Sequence, residues 1–276
     1  GIIGKWHLGH KYEYLPLQQG FDSFFGIPYS NDMASTVYFR GNEVVDHFPD
    51  QSLMTKKLTE ESIKFIESNS DNKFYLYLAH PMPHVPIYAS EDFIGSSERG
   101  LYGDVIQELD WSVGKIIEKL RQKNLLDNTM IIFSSDNGPW LTMREMGGSS
   151  GNLRNGKMYT FEGGMRVPTL AMLNGVIPPG TISNEITSQL DWFPTLASLT
   201  NSKIPDDLIL DGINIEELFN GQNLNYDRDY LYFDYERLEG YRKGDWKIKL
   251  PYGGWPGSWY KSCLLYTSDA ADDLLC

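Results

Sequence analysis

Six polar side chains of this 276-residue chain have types that could act on a small anion. Lysine and histidine can hold an anionic oxygen, and histidine can also transfer a proton. Aspartate and asparagine oxygens suit a hard cation such as Ca²⁺ or Mg²⁺. The six candidates are Lys5, His7, His84, Asp136, Asn137 and Lys157. Together they indicate an apparatus for a tetrahedral anion, such as a sulfuryl or phosphoryl group in transfer.

Each stretch that carries these residues also has a purely structural explanation. SSDNGPW, which contains Asp136 and Asn137, could be an ordinary turn, and a histidine in the proline-rich loop HPMPHVP could simply be solvated. Lys157 could be a surface lysine in a glycine-rich loop. Glu162 and Arg166 of that loop could form an ion pair that shapes it. The role of His80 and Arg154 stays open.

The elements that would position these residues follow an α/β pattern. Buried strands alternate with amphipathic helices, and the strand over 130–135 ends at Asp136, which places its oxygens at the carboxyl edge of a sheet. Residues 1–50 show no clear period and are predicted to be loop-rich and to wrap a site, and no strand or helix is predicted before GKWHLG. After about residue 226, short aromatic strands with turns around Gly240 and Gly244 predict a small antiparallel unit. The remaining predictions are helices over 53–68, 103–122 and 190–200, and strands over 74–79 and 167–173.

Composition narrows the class of partner. The net charge of −13 argues against a nucleic-acid backbone as ligand, although a site can be locally positive inside an acidic protein. No run of about 18 apolar residues is present, so no membrane partner is expected. Cys263 and Cys276 provide neither a disulfide framework nor a cysteine-rich metal site. No oligomeric state is predicted.

Several motifs in a fixed order resemble the sulfatase family of the alkaline phosphatase superfamily, in particular its arylsulfatase A-like and N-acetylgalactosamine-6-sulfatase-like members. These motifs are GKWHLG, PHVP, SSDNGPW and LRNGKMYTFEGGMRVPTLAM, followed by QLDWFPTLASLT, LDGINIEELFNG and YRKGDWKIKL. The resemblance covers about residues 1–250. It implies an alkaline-phosphatase-like mixed sheet flanked by helices, with a smaller C-terminal antiparallel sheet. The implied domains are a partial catalytic domain over 1–222 and the start of a C-terminal α+β subdomain over 223–262.

The resemblance also implies roles for the candidates. Lys5, His84 and Lys157 are expected to contact sulfate, and His7 is expected to hydrogen-bond a second hydroxyl of the nucleophile. Asp136 and Asn137 are expected to be two ligands of one Ca²⁺ ion, with Mg²⁺ as the less favoured metal. Asp136 is also placed to take the proton of the nucleophile.

The nucleophile of this family is a formylglycine, made from cysteine in a Cys-x-Pro-x-Arg motif or from serine in some bacteria. It precedes GKWHLG, as does a pair of aspartates that completes the metal shell, and this chain contains neither. The chain is therefore expected to be an N-terminally truncated fragment that folds poorly alone. Residues 263–276 resemble a non-native tail, with a short native helix as the alternative.

The expected activity is hydrolysis of a small-molecule or glycan sulfate ester by a periplasmic or secreted enzyme. Two alternatives stay open: a phosphodiesterase, phosphonate hydrolase or phosphatase of the same superfamily, and a non-catalytic relative that only binds. Side chains that could line the mouth of the cleft, or could simply pack, are Tyr29, Asn31, Asp32, Trp140 and Trp255.

Overall fold

The computed structural model describes residues 1–33, 36–224 and 228–250. The chain divides into two compact units. The first contains residues 1–126 and 139–149, and the second contains residues 127–138 and the described chain from residue 150 onward. The predicted domain division at residue 222 stays a prediction.

A five-stranded mixed sheet forms the centre of the first unit, in the order β4-β3-β2-β1-β5. β1 lies between β2 and β5 and is parallel to both, whereas β3 and β4 are added antiparallel at one edge. This arrangement confirms the predicted mixed α/β sheet. The strands are β1 (Ile2–Lys5), β2 (Phe24–Ile27), β3 (Tyr38–Arg40), β4 (Glu43–Asp46) and β5 (Tyr77–Ala79).

The prediction that residues 1–50 are loop-rich did not include the four short strands that lie there, β1 to β4. They are only three or four residues long, and in β1 and β2 a glycine interrupts the apolar pattern. A Cβ on Gly4 would lie 2.0 Å from the backbone oxygen of Ala79, and a Cβ on Gly26 would lie 1.8 Å from that of Gly4. Glycine therefore permits the close approach of neighbouring strands. GKWHLG thus begins in the central strand of a sheet, which holds the loop.

Two helices form at the positions that the apolar periodicity predicts, and they are layered on one another over the sheet. α1 (Met54–Ser68) inserts Met54 and Leu58 between Ile3, Phe25 and other core side chains of the sheet. α2 (Gly100–Gln122) packs against α1, and the hydroxyls of Thr59 and Ser112 meet at 2.6 Å where the helices touch. The layer order is therefore sheet, α1, α2.

The second unit contains two separate antiparallel sheets. β6 (Ile131–Ser134) pairs with β7 (Thr169–Met172). Both strands were predicted, and the one over 130–135 was predicted to be buried. Phe133 is nevertheless 41% exposed and Leu170 is 67% exposed, because a two-stranded sheet covers little of its own surface. The short helices α3 (Glu162–Met165) and α4 (Trp192–Leu199) belong to the same unit, and α4 confirms the predicted helix over 190–200.

The predicted C-terminal antiparallel strands form a three-stranded sheet in the order β10-β9-β8. The strands are β8 (Asp229–Asp234), β9 (Arg237–Lys243) and β10 (Trp246–Lys249). Gly240 lies within β9, so the turn expected there is wrong; the turns are at Tyr235-Glu236 and at Gly244-Asp245. Tyr235 and Gly244 have φ of 53° and 55°, which gives both turns a left-handed residue.

None of the helices among the described residues combines the length and apolar character needed to cross a membrane. Trp255, Cys263, Cys276 and the predicted non-native tail lie outside the described residues.

Candidate active site

Lys5 and His7 lie where the central strand of the first unit ends. Lys5 is the last residue of β1, and the chain then follows the exit of β2, since the backbone N–H groups of Trp6 and His7 donate to the carbonyls of Ile27 and Pro28, both at 3.0 Å. The ring of His7 meets Tyr29 edge to face at 5.8 Å. Both candidates are therefore fixed at the carboxyl edge of the parallel strands, where α/β proteins place their ligands.

His84 occupies the loop after β5, the other neighbour of β1. Its Nδ1 lies 2.7 Å from the carbonyl oxygen of Val85. Because a carbonyl only accepts, Nδ1 must carry the proton, and the lone pair of the neutral ring is on Nε2. The imidazole also packs against Trp140 at 5.6 Å.

Asn31, considered above as a residue of the cleft mouth, instead supports the His84 loop from inside. It is 2% exposed, and its amide nitrogen donates to the carbonyls of His84 and Pro86 at 3.3 and 3.1 Å. Gln51 completes the arrangement by donating to the carbonyl of Asn31 at 3.0 Å. The packing alternative therefore applies to Asn31.

Asp32 reports the electrostatics of this edge. Partial burial opposes its ionisation, but a hydrogen bond from Ser30 and electrostatic attraction to His84 and Lys5 outweigh it and lower its pKa. One carboxylate thus feels both basic candidates, so Lys5 and His84 share a neighbourhood in this unit.

His80 directly follows β5, but its side chain bonds to the helix layer. Its Nε2 lies 3.0 Å from the hydroxyl of Ser112 on α2, and its Nδ1 is buried. Burial lowers the pKa of His80 to about 4, so the ring is neutral and joins the loop to the helix layer.

In the second unit, the Asp136-Asn137 pair directly follows the strand β6 and its neighbour Ser135. The amide N–H of Gly138 donates to the carbonyl of Gly164 at 2.9 Å, and a Cβ on Gly138 would lie 1.8 Å from the oxygen of Gly163. The loop that carries the oxygen donors is therefore attached to the glycine-rich loop that carries Lys157.

The donor chemistry of this pair fits a hard cation. The Nδ2 of Asn137 donates to the carbonyl of Gly138 at 2.9 Å, which leaves Oδ1 as the oxygen for a metal beside the exposed Asp136 carboxylate. Two oxygens are only part of a Ca²⁺ shell of six to eight ligands. Within the described residues, no group of three or more His, Cys, Asp or Glu side chains is arranged to hold a metal. The pair therefore suits a partial shell.

Lys157 lies in a loop whose ends are tied together. Gly163 N–H donates to the carbonyl of Arg154 at 2.8 Å, and Tyr159 N–H donates to that of Gly156 at 3.1 Å. Lys157 itself is half-buried, and Met158 beside it has a φ of 80°. For a residue with a side chain this is a strained, left-handed conformation.

The ion pair expected between Glu162 and Arg166 is replaced by pairs with the C-terminal sheet. The Glu162 carboxylate accepts from Arg242 at 2.9 Å and from Lys247 at 2.7 Å. Burial opposes ionisation of Glu162, but the hydrogen bond and charge of Lys247 and the charge of Arg242 outweigh it, so its pKa is lowered. Arg166 contributes only a smaller attraction over a longer range.

The structure thus groups the six candidates in two sets. Lys5, His7 and His84 belong to the first unit, and Asp136, Asn137 and Lys157 belong to the second. That the two sets form one site stays a prediction. Sequence reasoning missed the support from Asn31 and from the C-terminal sheet. The alternation in DWKIKL places the lysines on one face of the strand, but it would favour burial of Trp246 and Ile248, which are exposed.

The features described so far define an α/β protein that presents basic groups and hard oxygen donors on the loops that follow its strands. Comparison with known proteins is more specific: the family model "Sulfatase" matches residues 1–202. The chain belongs to the sulfatase family.

Similar proteins agree with this assignment. Human N-acetylgalactosamine-6-sulfatase is 37% identical over 277 residues, which cover 94% of this chain and 52% of that protein. Human arylsulfatase A is 36% identical over 248 residues, which cover 80% of this chain and 48% of that protein. The structure of the PsFucS1 sulfatase from Pseudoalteromonas sp. superposes with a TM-score of 0.81 at 28% identity, covering 90% of this chain and 57% of that one. The chain spans about half the length of the curated relatives it matches.

Proposed function

We propose that this chain is part of an arylsulfatase-like sulfuric ester hydrolase. The observation that carries the proposal is the family match over residues 1–202, a range that contains all six candidate residues. Formylglycine, on a segment that precedes this chain, would supply a hydrated aldehyde as the nucleophile. The chain itself supplies the groups that bind the sulfate and assist the leaving alcohol.

Lys5, His84 and Lys157 bind the sulfate oxygens. Lys157 holds the oxygen next to the leaving group and donates a hydrogen bond or proton to the departing alcohol. His84 approaches through Nε2, which donates to a sulfate oxygen when the ring is protonated; the hydrogen bond to Val85 sets this orientation. His7 bonds the second hydroxyl of the nucleophile and helps to release sulfate.

Asp136 and Asn137 are proposed as two ligands of one Ca²⁺ ion. Carboxylate and amide oxygens match this hard cation, and the Asn137 amide is turned by its bond to Gly138 so that its oxygen is the donor. The ion, when bound, supplies positive charge against the sulfate oxygens. Asp136 is also the proposed acceptor of the nucleophile's proton.

The proposed substrate is a small-molecule or glycan sulfate ester. The name of the similar N-acetylgalactosamine-6-sulfatase supports a sulfated sugar. No nucleic-acid partner is proposed, in keeping with the net charge of −13. We also propose a periplasmic or secreted location.

The test uses the full-length protein, produced together with a formylglycine-generating enzyme. Sulfate release from 4-nitrophenyl sulfate and from a 6-sulfated amino sugar is measured with and without Ca²⁺. Lys157→Ala is expected to lower kcat by about 100-fold or more, because a charged group facing the leaving oxygen is lost. Lys203→Ala is the matched control, since Lys203 is 78% exposed in a surface pair with Asp206 and should leave kcat unchanged.

Other outcomes assign the alternatives. Faster hydrolysis of bis(4-nitrophenyl) phosphate or a phosphonate ester than of any sulfate ester would identify the superfamily rival. Binding of 4-nitrophenyl sulfate without release of sulfate would identify a non-catalytic relative. A preceding segment with neither Cys-x-Pro-x-Arg nor its serine form would contradict the nucleophile.

A further inference from the structure

Two cations face each other across the C-terminal sheet. Arg242 of β9 and Lys247 of β10 are direct cross-strand partners, and both are largely buried. Like charges in this position repel and destabilise a strand pair. The arrangement persists because Glu162 accepts from both cations, at 2.9 and 2.7 Å. The pairing of β9 with β10 therefore depends on the carboxylate of Glu162, which neutralises the repulsion between the two cations from a loop 80 residues earlier in the sequence.

A second set of bonds ties the same loop to the sheet. Lys247 also donates to the carbonyl of Thr160 at 2.7 Å. The hydroxyl of Thr160 donates to the buried Glu239 at 2.8 Å and accepts from Lys249. Backbone and side chain of the loop are thus both held. We call Thr160, Glu162, Glu239, Arg242, Lys247 and Lys249 the ion-pair cluster.

The cluster lies close along the chain to the strained turn at Lys157. Thr160 is three residues after Lys157, a span of at most about 10 Å. Met158, between them, keeps its φ of 80°, a strained conformation that persists only where the surroundings impose it. The bond from Gly163 to Arg154 fixes the base of the loop, and the ion-pair cluster fixes its C-terminal arm.

We propose that the ion-pair cluster positions Lys157, so that the C-terminal sheet sets the placement of a group acting on the leaving alcohol. The role of Lys157 rests on the proposed function, whereas its fixation by the sheet does not. Glu162 and Lys247 are therefore positioning residues, acting through the loop and not on the substrate.

The test compares Glu162→Gln with Asp229→Asn in the full-length protein. The control removes a carboxylate of the same sheet, because Asp229 pairs with Lys243 at 3.6 Å on the surface. Lys247→Met is a milder second variant that keeps the Glu162–Arg242 pair and most of the length of the side chain. Two readouts are used: hydrogen exchange of amides 156–161, and kcat for aryl sulfates with leaving groups of increasing pKa.

We expect both cluster variants to speed exchange of amides 156–161 by about 10-fold or more, with no change in Asp229→Asn. In both cluster variants, kcat should fall about 10- to 100-fold for esters of poor leaving groups and about 3-fold or less for esters of good leaving groups. The reason is that the oxygen of a poor leaving group depends most on a hydrogen bond or proton from a correctly placed Lys157. A uniform loss across the series would overturn the positioning role.

The two hypotheses fail in different ways. Unchanged exchange in both cluster variants would overturn the inference even if the wild-type protein is an active sulfatase. If the wild-type protein has no sulfatase activity but the cluster variants still exchange amides 156–161 faster, the proposed function is refuted. The fixation of the loop by the sheet is then still supported.

Discussion

Acidification should weaken the fold through a single buried histidine, His80. The proton positions around it follow from its hydrogen bonds. Thr59 donates to the carbonyl of Thr55 at 2.7 Å, so its hydroxyl accepts from Ser112 at 2.6 Å. The hydroxyl of Ser112 must then accept from Nε2 of His80. His80 is therefore neutral with its proton on Nε2, and further protonation would place charge on the buried Nδ1.

The size of the effect follows from the pKa of His80 in the two states. Burial lowers it from 6.5 to about 4 in the folded protein. Above pH 6.5 the ring is neutral in both states and contributes no pH dependence. Between pH 6.5 and about 4 mainly the unfolded chain binds the proton, so the contribution of His80 lowers stability as the pH falls. This contribution levels off below about pH 4, where both states bind the proton. The full loss corresponds to about 3 kcal/mol.

The measurement compares the wild-type full-length protein with His80→Gln between pH 7.5 and 4. Glutamine can keep the donor to Ser112 but does not titrate, so carboxylates that titrate in both proteins cancel in the comparison. The wild type should be the more stable protein at pH 7.5, and its advantage in free energy of unfolding should shrink by about 3 kcal/mol on acidification. Long-range ¹H–¹⁵N spectra should show the Nε2–H tautomer. An advantage that is constant over this pH range would refute the reasoning, as would an Nδ1–H tautomer.

Three further substitutions test the supports of the candidate site. Asn31→Ala leaves the carbonyls of His84 and Pro86 without their hydrogen-bond donor. It should lower the free energy of unfolding by about 2–4 kcal/mol and reduce sulfate release; a loss under about 1 kcal/mol by denaturant titration would contradict this. Gly138→Ala would place a Cβ 1.8 Å from a backbone oxygen of the glycine-rich loop, and calorimetry should show a strong loss of stability; a native melting temperature would show that the loop yields. Arg228→Met leaves the fully buried carboxylate of Asp191 without its 2.6 Å partner and should cost about 3–5 kcal/mol, measured by urea denaturation against Lys203→Met at the exposed pair with Asp206; equal losses would argue against burial as the cause.

The extent of sequence-based prediction depended on the length and regularity of each element. Helices α1 and α2 repeat an apolar face over several turns, and their predicted positions are confirmed within three residues. Strands β1 to β4 have three or four residues each, too few for a period to appear, and the pattern is further obscured where Gly4 and Gly26 permit close strand contact. Strands this short are defined mainly by pairing with neighbouring strands, so they cannot be recognised from the pattern of their own few residues.

The same limit applies to the candidate site. Lys5, His84 and Lys157 could be picked out because their chemistry is visible in the residue type and in short motifs. The side chains that hold their loops have no such signature, because their partners lie far away in sequence. Asn31 donates to carbonyls 53 and 55 residues later, and Glu162 binds cations 80 and 85 residues later.

These distant supports follow one physical pattern in both units. In each, polar contacts from a distant part of the sequence fix the loop of a residue proposed to bind sulfate. The buried Asn31 bonds the His84 loop, and Arg242 and Lys247 bond Glu162 of the Lys157 loop. A loop alone would leave a long basic side chain with much of its rotamer freedom, and catalysis of group transfer depends on placement. Loss of either support should leave the positive charge that binds sulfate in place but misplace it for the reaction. We therefore expect kcat to fall by a larger factor than KM rises.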